Sequence, residues 1–292
     1  MRRFTELSWS WRSTRSRVLS VAAGALVSVA SLAAPSYAGI VTFGSDGNTF
    51  NASQALQITK DTRGTAKPAT SVSWIEAARF VNWLNTSTGH QAAYKFADGS
   101  AVNVNIQLWT SGEAGYDVNN KYRNSLAKYV LPSYNEWYKA AYYNPTNSTY
   151  YDFPNGSDTR PTAVTGGTGP NTAVYTQSGE ASPTGPADVD QAGGLSPYGV
   201  MGLGGNAREW QESSFDLANS SVSSSRGFRG GSWLFAPGNL SSRNLPNNDP
   251  SFEFYLIGFR VAMVQPVPEP SMMVIEMVFG LGGLAAKRRM KK

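Results

Sequence analysis

Residues 204–210 of this chain read GGNAREW, residues 229–233 read RGGSW and residues 258–261 read GFRV. The chain has 292 residues, of which 29 are glycine and 12% are aromatic. This composition indicates a loop-rich core that Trp and Tyr side chains hold together. We therefore expect Trp210 and Trp233 to pack in the core. The alternative is that their rings stack on a sugar.

Two helix starts precede these motifs. Residues 73–76 read SWIE and residues 133–136 read SYNE. Both have the Ser-x-x-Glu spacing of a capping box, in which each side chain satisfies a free N–H of the first turn. After the first box, apolar residues recur every three or four positions up to Leu84 and give the helix one apolar face. The second helix is predicted to end near residues 144–145, which read NP.

The rest of the body is predicted to consist of short strands and loops. Residues 40–43 and 55–58 are short alternating runs that indicate strands. Residues 91–128 are expected to include a hairpin. Residues 159–195 are rich in Gly, Pro and Thr and are predicted to form a long ordered loop. Periodicity alone thus predicts an α+β, loop-rich fold.

The N-terminal section, residues 1–38, has the pattern of a signal peptide. Five Arg precede an apolar run over residues 18–34, and small residues occupy positions −3 and −1 of a cleavage site before Gly39. The alternative is an anchor that stays in the membrane. The body of the protein is then residues 39–266.

The C-terminal section, residues 267–292, begins with VPEPS, continues as an apolar segment through residue 286 and ends in KRRMKK. It resembles the PEP-CTERM sorting signal of Gram-negative bacteria. That resemblance implies export, a transient inner-membrane anchor and cleavage by an exosortase-type sorting protease. The basic end favours the cytoplasmic side, and the apolar segment is shorter than a full span needs. An ordinary single-pass transmembrane anchor is the alternative.

The formal charge of +5 is located at the two ends of the chain. The body, residues 39–266, has 15 Lys+Arg and 17 Asp+Glu and is slightly acidic. Nucleic-acid binding therefore loses its electrostatic support. The chain has no cysteine, so an exported body of this length must be stabilised without disulfides, by core burial, hydrogen bonds or metal.

The three glycine-rich motifs, together with residues 72–84 and 130–141, resemble the formylglycine-generating-enzyme-like (sulfatase-modifying factor) domain family. The patterns of that family include G-N-V/A-x-E-W, R-G-G-S-W/Y and G-F-R, and this chain has them in the same order. The match extends over residues 70–263. It implies an irregular, loop-rich C-type-lectin-like fold of the formylglycine-generating-enzyme type.

The catalytic chemistry that the resemblance implies conflicts with the composition. The family's oxidases bind Cu(I) through two cysteines, and carrying their spacing onto this chain places them at or near Phe235 and Leu240. Soft thiolates suit Cu(I), and apolar side chains do not replace them. Related iron-dependent sulfoxide synthases need several histidines, whereas this chain has only His90. We therefore expect no copper and assign no catalytic residue.

Calcium is the cofactor that the resemblance leaves as a candidate. The family site around G-N-V/A-x-E-W uses backbone oxygens and a carboxylate, which implies Gly205, Ala207 and Glu209 in this chain. Gly202 occupies the position of a further Asn or Asp ligand, and this lowers the expected affinity. The alternative is that Glu209 hydrogen-bonds the backbone of a loop.

The same region supplies Ser232, Trp233 and Arg243 as candidate ligand-binding residues. Arg243 could also form a basic patch with Arg229 and Arg260. In a domain rich in Tyr and Trp, we instead expect these arginines to stack on rings or pair with carboxylates.

Together these features favour an exported, non-catalytic protein that acts as a binding or structural component of the cell envelope or extracellular polysaccharide matrix. Its expected partners are the sorting protease, extracellular polysaccharide and, before processing, the membrane. The first alternative is an enzyme of the sulfatase-modifying-factor type with cysteine-independent chemistry. The second is a stable cargo whose export and sorting matter most.

Overall fold

The computed structural model describes residues 66–97 and 106–264. The predicted signal peptide, the predicted sorting tail and the strands predicted at residues 40–43 and 55–58 lie outside the described residues. The helices of the described part are α1 (Trp74–Ser87), α2 (Tyr134–Tyr142) and a short 3-10 helix (Pro237–Leu240).

Both α-helices begin at the predicted capping boxes. The hydroxyl of Ser73 accepts from the backbone N–H of Glu76 at 3.2 Å, and the carboxylate of Glu76 accepts from the N–H of Ser73 at 2.8 Å. The same two bonds join Ser133 and Glu136. The prediction of both helix starts is confirmed, while the second helix ends at Tyr142, slightly earlier than predicted.

The strands are short, and the longest has 7 residues. In chain order they are β1 (Lys95–Phe96), β2 (Ile106–Gln107), β3 (Tyr129–Val130), β4 (Tyr143–Asn144), β5 (Thr149–Tyr150), β6 (Thr162–Val164), β7 (Thr172–Val174), β8 (Arg208–Ser214), β9 (Arg226–Arg229), β10 (Asn247–Asn248), β11 (Ile257–Gly258) and β12 (Ala262–Met263). Short strands with few helices confirm the α+β, loop-rich class.

One four-stranded sheet, in the order β10-β9-β8-β11, carries the three glycine-rich motifs. Strand β8 is antiparallel to β9, with Glu209 opposite Arg229. On its other side β8 is parallel to β11, with Glu209 opposite Gly258. Motifs that are far apart in the sequence are therefore neighbours across this sheet.

The remaining strands form pairs. Strands β1 and β2 are antiparallel, which confirms the predicted hairpin, and β3 pairs with β12 and β4 with β5. Strands β6 and β7 form a parallel pair within residues 159–195. The prediction of a continuous loop there was wrong for these six residues, because a three-residue strand leaves almost no periodic signal.

The largest hydrophobic cluster packs α1 against the four-stranded sheet, β3 and β12. Trp74 and Trp210 lie at its centre and are fully buried. The indole N–H of Trp74 donates to the carbonyl of Gln211 at 2.9 Å, and that of Trp210 donates to the carbonyl of Val72 at 2.8 Å. Burial of such large rings removes the most apolar surface from water, so these tryptophans are principal sources of stability.

Across residues 66–97 and 106–264, neither α-helix combines the length and the apolar character that a bilayer crossing requires. The longer of the two, α1, has 14 residues.

Candidate functional site

The first glycine-rich motif forms a tight backbone crossing. Gly205 has a φ of +75°, and a Cβ placed on it would lie 2.1 Å from the carbonyl oxygen of Val174. Its N–H donates to the carbonyl of Gly230, in the second motif, at 2.6 Å. The side chain of Asn206 accepts from the N–H of Ala187 at 2.8 Å. Gly205 and Asn206 therefore hold the first motif against three other chain segments, those that contain Val174, Ala187 and Gly230.

The carboxylate of Glu209 lies in a buried ion pair with Arg260. The two guanidinium nitrogens Nε and Nη2 of Arg260 donate to the two oxygens of Glu209, both at 2.5 Å. The indole N–H of Trp137 donates to the same carboxylate at 2.7 Å. A bidentate arginine and an indole thus occupy both oxygens of the carboxylate.

A calcium ion bound by Gly205, Ala207 and Glu209 stays a prediction. The ion pair between Glu209 and Arg260 involves one of these three residues. A calcium ion that used the Glu209 carboxylate would compete with the guanidinium of Arg260 for the same oxygens. Within the part of the chain that the structure describes, no group of three or more His, Cys, Asp or Glu side chains is close enough together to hold a metal ion.

The three candidate ligand-binding residues have different environments. The side chain of Ser232 is fully buried, and that of Trp233 is 4% exposed and packs edge-on against Tyr255. The side chain of Arg243 is 86% exposed, and its Nε lies 3.9 Å from the nearer carboxylate oxygen of Asp152. Arg243 is therefore open to solvent, whereas the other two side chains are enclosed. The burial of Trp233 confirms core packing for that ring.

The positions that correspond to the family's copper ligands are filled by packing contacts. Leu240 is fully buried, and its carbonyl accepts from the hydroxyl of Tyr142 at 3.0 Å. Phe235 is half-buried beneath the guanidinium of Arg208, which lies 4.0 Å from the ring centre. The same guanidinium donates to the side-chain oxygen of Asn239 at 2.6 Å. Phe235 and Leu240, onto which the resemblance carries those ligands, thus lie in packed surroundings.

Two of the three arginines considered for a basic patch, Arg229 and Arg260, are stacked or paired as predicted, whereas Arg243 is exposed. The guanidinium of Arg229 is 4.8 Å from the ring centre of Tyr134 and 5.0 Å from that of Tyr138. Its Nη1 donates to the carbonyl of Ser242 at 2.9 Å. Arg260 pairs with a carboxylate, as described above. Neither of these two side chains contributes to a basic surface, because both are buried.

A row of tyrosines extends from the two rings that contact Arg229, and we call it the tyrosine ladder. Its members are half-buried or exposed and belong to α2, β4, β5 and the loop before β8; in spatial order they are Tyr134, Tyr138, Tyr150, Tyr143 and Tyr198. Sequence reasoning missed this surface. The available signal was local, since Tyr134 and Tyr138 are four residues apart on a helix and must share a face.

Polar side chains border the tyrosine ladder. The Nζ of Lys139 lies 5.3 Å from the ring centre of Tyr143. Arg243 and Asp152 lie on the adjoining chain segment, where the N–H of Ser242 donates to the carbonyl of Asp152 at 2.8 Å. The exposed Arg243 is thus beside the aromatic surface.

A second charged cluster connects β8 to α2. The buried carboxylate of Glu212 accepts from the hydroxyl of Tyr94 at 2.7 Å, from Nε of Arg123 at 2.8 Å and from Asn120 at 2.6 Å. Arg123 also forms two hydrogen bonds to Glu136, at 2.8 and 2.9 Å. Burial, reinforced by the charge of Glu212, raises the pKa of Tyr94. Because the guanidinium of Arg123 bridges the carboxylates of Glu212 and Glu136, we attribute this cluster to stability of the fold.

The solved structures that are similar to this chain include three that cover about 70% of it. One is the crystal structure of CarF, with 25% identity, a TM-score of 0.47 and coverage of 70% of this chain and 71% of that chain. Treponema denticola variable protein 1 has 19% identity, a TM-score of 0.49 and coverage of 71% and 75%. PvdO from Pseudomonas aeruginosa has 19% identity, a TM-score of 0.41 and coverage of 68% and 62%.

No curated protein matches the chain at a significant level. The sequence profile of the sulfatase-modifying factor enzyme 1-like domain matches residues 35–264, which is most of the chain. It includes all three glycine-rich motifs and both capping boxes. The chain therefore belongs to the sulfatase-modifying factor enzyme 1-like (FGE-sulfatase) domain family.

Proposed function

We propose that this chain is an exported, non-catalytic member of its family, which acts as a binding or structural component of the cell envelope or extracellular polysaccharide matrix. In this proposal the irregular α+β body is of the C-type-lectin-like kind and serves as a rigid scaffold for a binding surface. Calcium held by Gly205, Ala207 and Glu209 is a proposed structural ion.

The observation that carries the proposal is the packing at Phe235 and Leu240. Copper-dependent oxidation needs soft thiolate ligands, and the chain contains no cysteine. Leu240 is fully enclosed, and the guanidinium of Arg208 covers Phe235. This packing supports a role in which the fold is retained for its surface.

The proposed location rests on the signal-peptide pattern of residues 1–38 and on the resemblance of residues 267–292 to a sorting signal. We propose cleavage before Gly39, transient anchoring in the inner membrane and release near residue 270 by an exosortase-type protease. Intact mass of the native protein, taken separately from membrane and extracellular fractions, tests this step. A full-length C-terminus found only in membranes would contradict release.

The functional test incubates the purified full chain with Cu(I), oxygen and a cysteine-containing sulfatase peptide, alongside a cysteine-containing member of the family as the positive control. We expect the control to form formylglycine and this chain to leave the peptide unchanged, as read by mass spectrometry. Conversion of the peptide by this chain would overturn the non-catalytic proposal. Release of shortened products from a polysaccharide would favour the alternative of an enzyme with cysteine-independent chemistry.

A further inference from the structure

We propose that the tyrosine ladder is a binding platform for a neutral polysaccharide chain. This inference rests on the proposed binding function, and it names both the surface and the chemical class of the ligand.

The rings of the tyrosine ladder form an uninterrupted series of contacts. The centroids of Tyr134 and Tyr138 are 5.7 Å apart with nearly parallel planes, and Tyr138 is 4.9 Å from Tyr150. Tyr150 is 5.2 Å from Tyr143, which stacks at 6.2 Å on Tyr198. Tyr150 is 47% exposed, and the other four rings are half-buried. Each tyrosine of the series therefore keeps part of its surface open to solvent, and Tyr150 keeps the most.

The inner side of the ladder is fixed by buried groups. The guanidinium of Arg229 lies beneath Tyr134 and Tyr138 and donates to the hydroxyl of Tyr134 at 3.1 Å. The carbonyls of Ser242 and Asn244 hold that guanidinium in place, at 2.9 and 3.0 Å. Tyr134 and Tyr138 are held in place by these contacts, so this end of the ladder loses little conformational entropy when a ligand binds.

Extended glycans match this surface because pyranose rings have apolar C–H faces and hydroxyl edges. The faces pack on aromatic rings, and phenol hydroxyls donate to and accept from the edges. Successive rings about 5 to 6 Å apart offer repeated contacts to a chain of sugar units, as stacked rings do for other linear polymers.

The charge of the body as a whole favours a neutral chain. Lys139 and Arg243 are cationic, while Asp152 beside Arg243 is anionic, so the border offers both donors and acceptors. The body as a whole has 15 Lys+Arg and 17 Asp+Glu. A polyanion such as a nucleic acid or a polyuronate would meet no net attraction from such a body, whereas hydroxyl groups need none.

The test is affinity electrophoresis of the full chain in mild detergent, in native gels that contain hydroxyethylcellulose, laminarin or dextran. Gels with polygalacturonate and mixtures with oligo(dT) serve as polyanion probes. The variant Tyr150→Ala removes the most exposed ring of the ladder. Tyr255→Ala is the matched control, because Tyr255 is 49% exposed and packs against Trp233 and Phe254, away from the ladder contacts.

We expect retardation in at least one neutral gel, a loss of affinity of about tenfold for Tyr150→Ala and none for Tyr255→Ala. The platform is overturned if no neutral polysaccharide retards the chain, if Tyr150→Ala binds like wild type, or if only a polyanion binds. Turnover of the sulfatase peptide would overturn the proposed function and leave the binding result standing, so the two failures are distinguishable.

Discussion

Glu209 and Arg260 form a bidentate ion pair in the core, although they are 51 residues apart in the sequence. Glu209 comes from the first glycine-rich motif and Arg260 from the third. Trp137 of α2 donates to the same carboxylate. The carboxylate of Glu209 thus connects three parts of the fold: the four-stranded sheet, helix α2 and the segment that follows β11. This connection gives a physical reason for the Glu of the first motif and the Arg of the third.

Arg260→Met is expected to destabilise the protein strongly. Both partners are almost fully buried, so removal of the guanidinium leaves a buried carboxylate without its counter-charge. The expected loss is about 3–5 kcal/mol of the free energy of unfolding. Urea denaturation followed by tryptophan fluorescence measures it. The double variant Glu209→Gln/Arg260→Met is expected to recover part of the loss, because it removes the orphaned charge.

Arg243→Met is the control for this experiment, since the Arg243 side chain is 86% exposed and 3.9 Å from Asp152. Arg243→Met is expected to change the free energy of unfolding by no more than about 0.5 kcal/mol. Equal losses for Arg260→Met and Arg243→Met would contradict the assignment of the buried pair as a major source of stability.

Gly205→Ala is expected to lower the free energy of unfolding by at least about 3 kcal/mol, because the new side chain would combine a positive φ with a steric clash. The new Cβ would lie 2.1 Å from the carbonyl oxygen of Val174, which is backbone and has little freedom to move. Gly238→Ala is the matched control, since no atom lies within 4 Å of its Cβ position and its φ is not positive. Thermal unfolding of the two variants should separate them, and a stable Gly205→Ala would contradict the close crossing.

Local chemistry made the helices predictable from the sequence. The capping boxes at Ser73 and Ser133 need only four consecutive residues, so both helix starts were correct. The parallel pair β6 and β7 was missed because each strand has three residues and its pairing depends on contacts between distant segments. A loop-rich fold gives the sequence few long periodic runs to read.

The candidate site was less predictable because its contacts are non-local. Sequence reasoning considered Glu209 as a calcium ligand or a backbone acceptor, and spacing alone could not indicate Arg260 as its partner. In the tyrosine ladder, Tyr143 and Tyr150 are partners across the short β4–β5 pair, whereas Tyr198 comes from a distant loop, so no single local pattern joins the row. The expectation that Arg229 stacks on rings was correct, because composition alone makes an arginine in such a core meet aromatic faces.

The ion pair between Glu136 and Arg123 predicts a loss of stability at low pH. Burial alone would raise the pKa of Glu136, but the hydrogen bonds and charge of Arg123 outweigh it and lower the pKa to about 2. The unfolded value is about 4.3, so this stabilisation is complete above that pH and is lost as pH falls from about 5 to about 2. At neutral pH the ion pair contributes about 2 kcal/mol to the free energy of unfolding, after allowance for the partial exposure of Glu136.

Urea denaturation of wild type and Glu136→Gln at several pH values tests this prediction. The variant should be less stable at pH 7, and the difference should shrink as pH falls toward 2. Glu180→Gln is the comparison, because Glu180 pairs with Arg160 at the surface, where solvent screens the charges more strongly. A difference between wild type and Glu136→Gln that stays constant with pH would show that the carboxylate acts only through its hydrogen bonds to the helix start.

Calcium is expected to compete with Arg260 if Glu209 is one of its ligands. Both oxygens of the carboxylate accept hydrogen bonds from the guanidinium, so removal of that group frees them for a cation. Calcium should therefore raise the Tm of Arg260→Met more than that of wild type, measured against EGTA, since a ligand that binds the folded state stabilises it by mass action. Glu209→Gln/Arg260→Met, which lacks the carboxylate, should lose this response. If calcium shifts the Tm of all three proteins equally, the ion binds without Glu209, and the proposed site at Gly205, Ala207 and Glu209 is wrong.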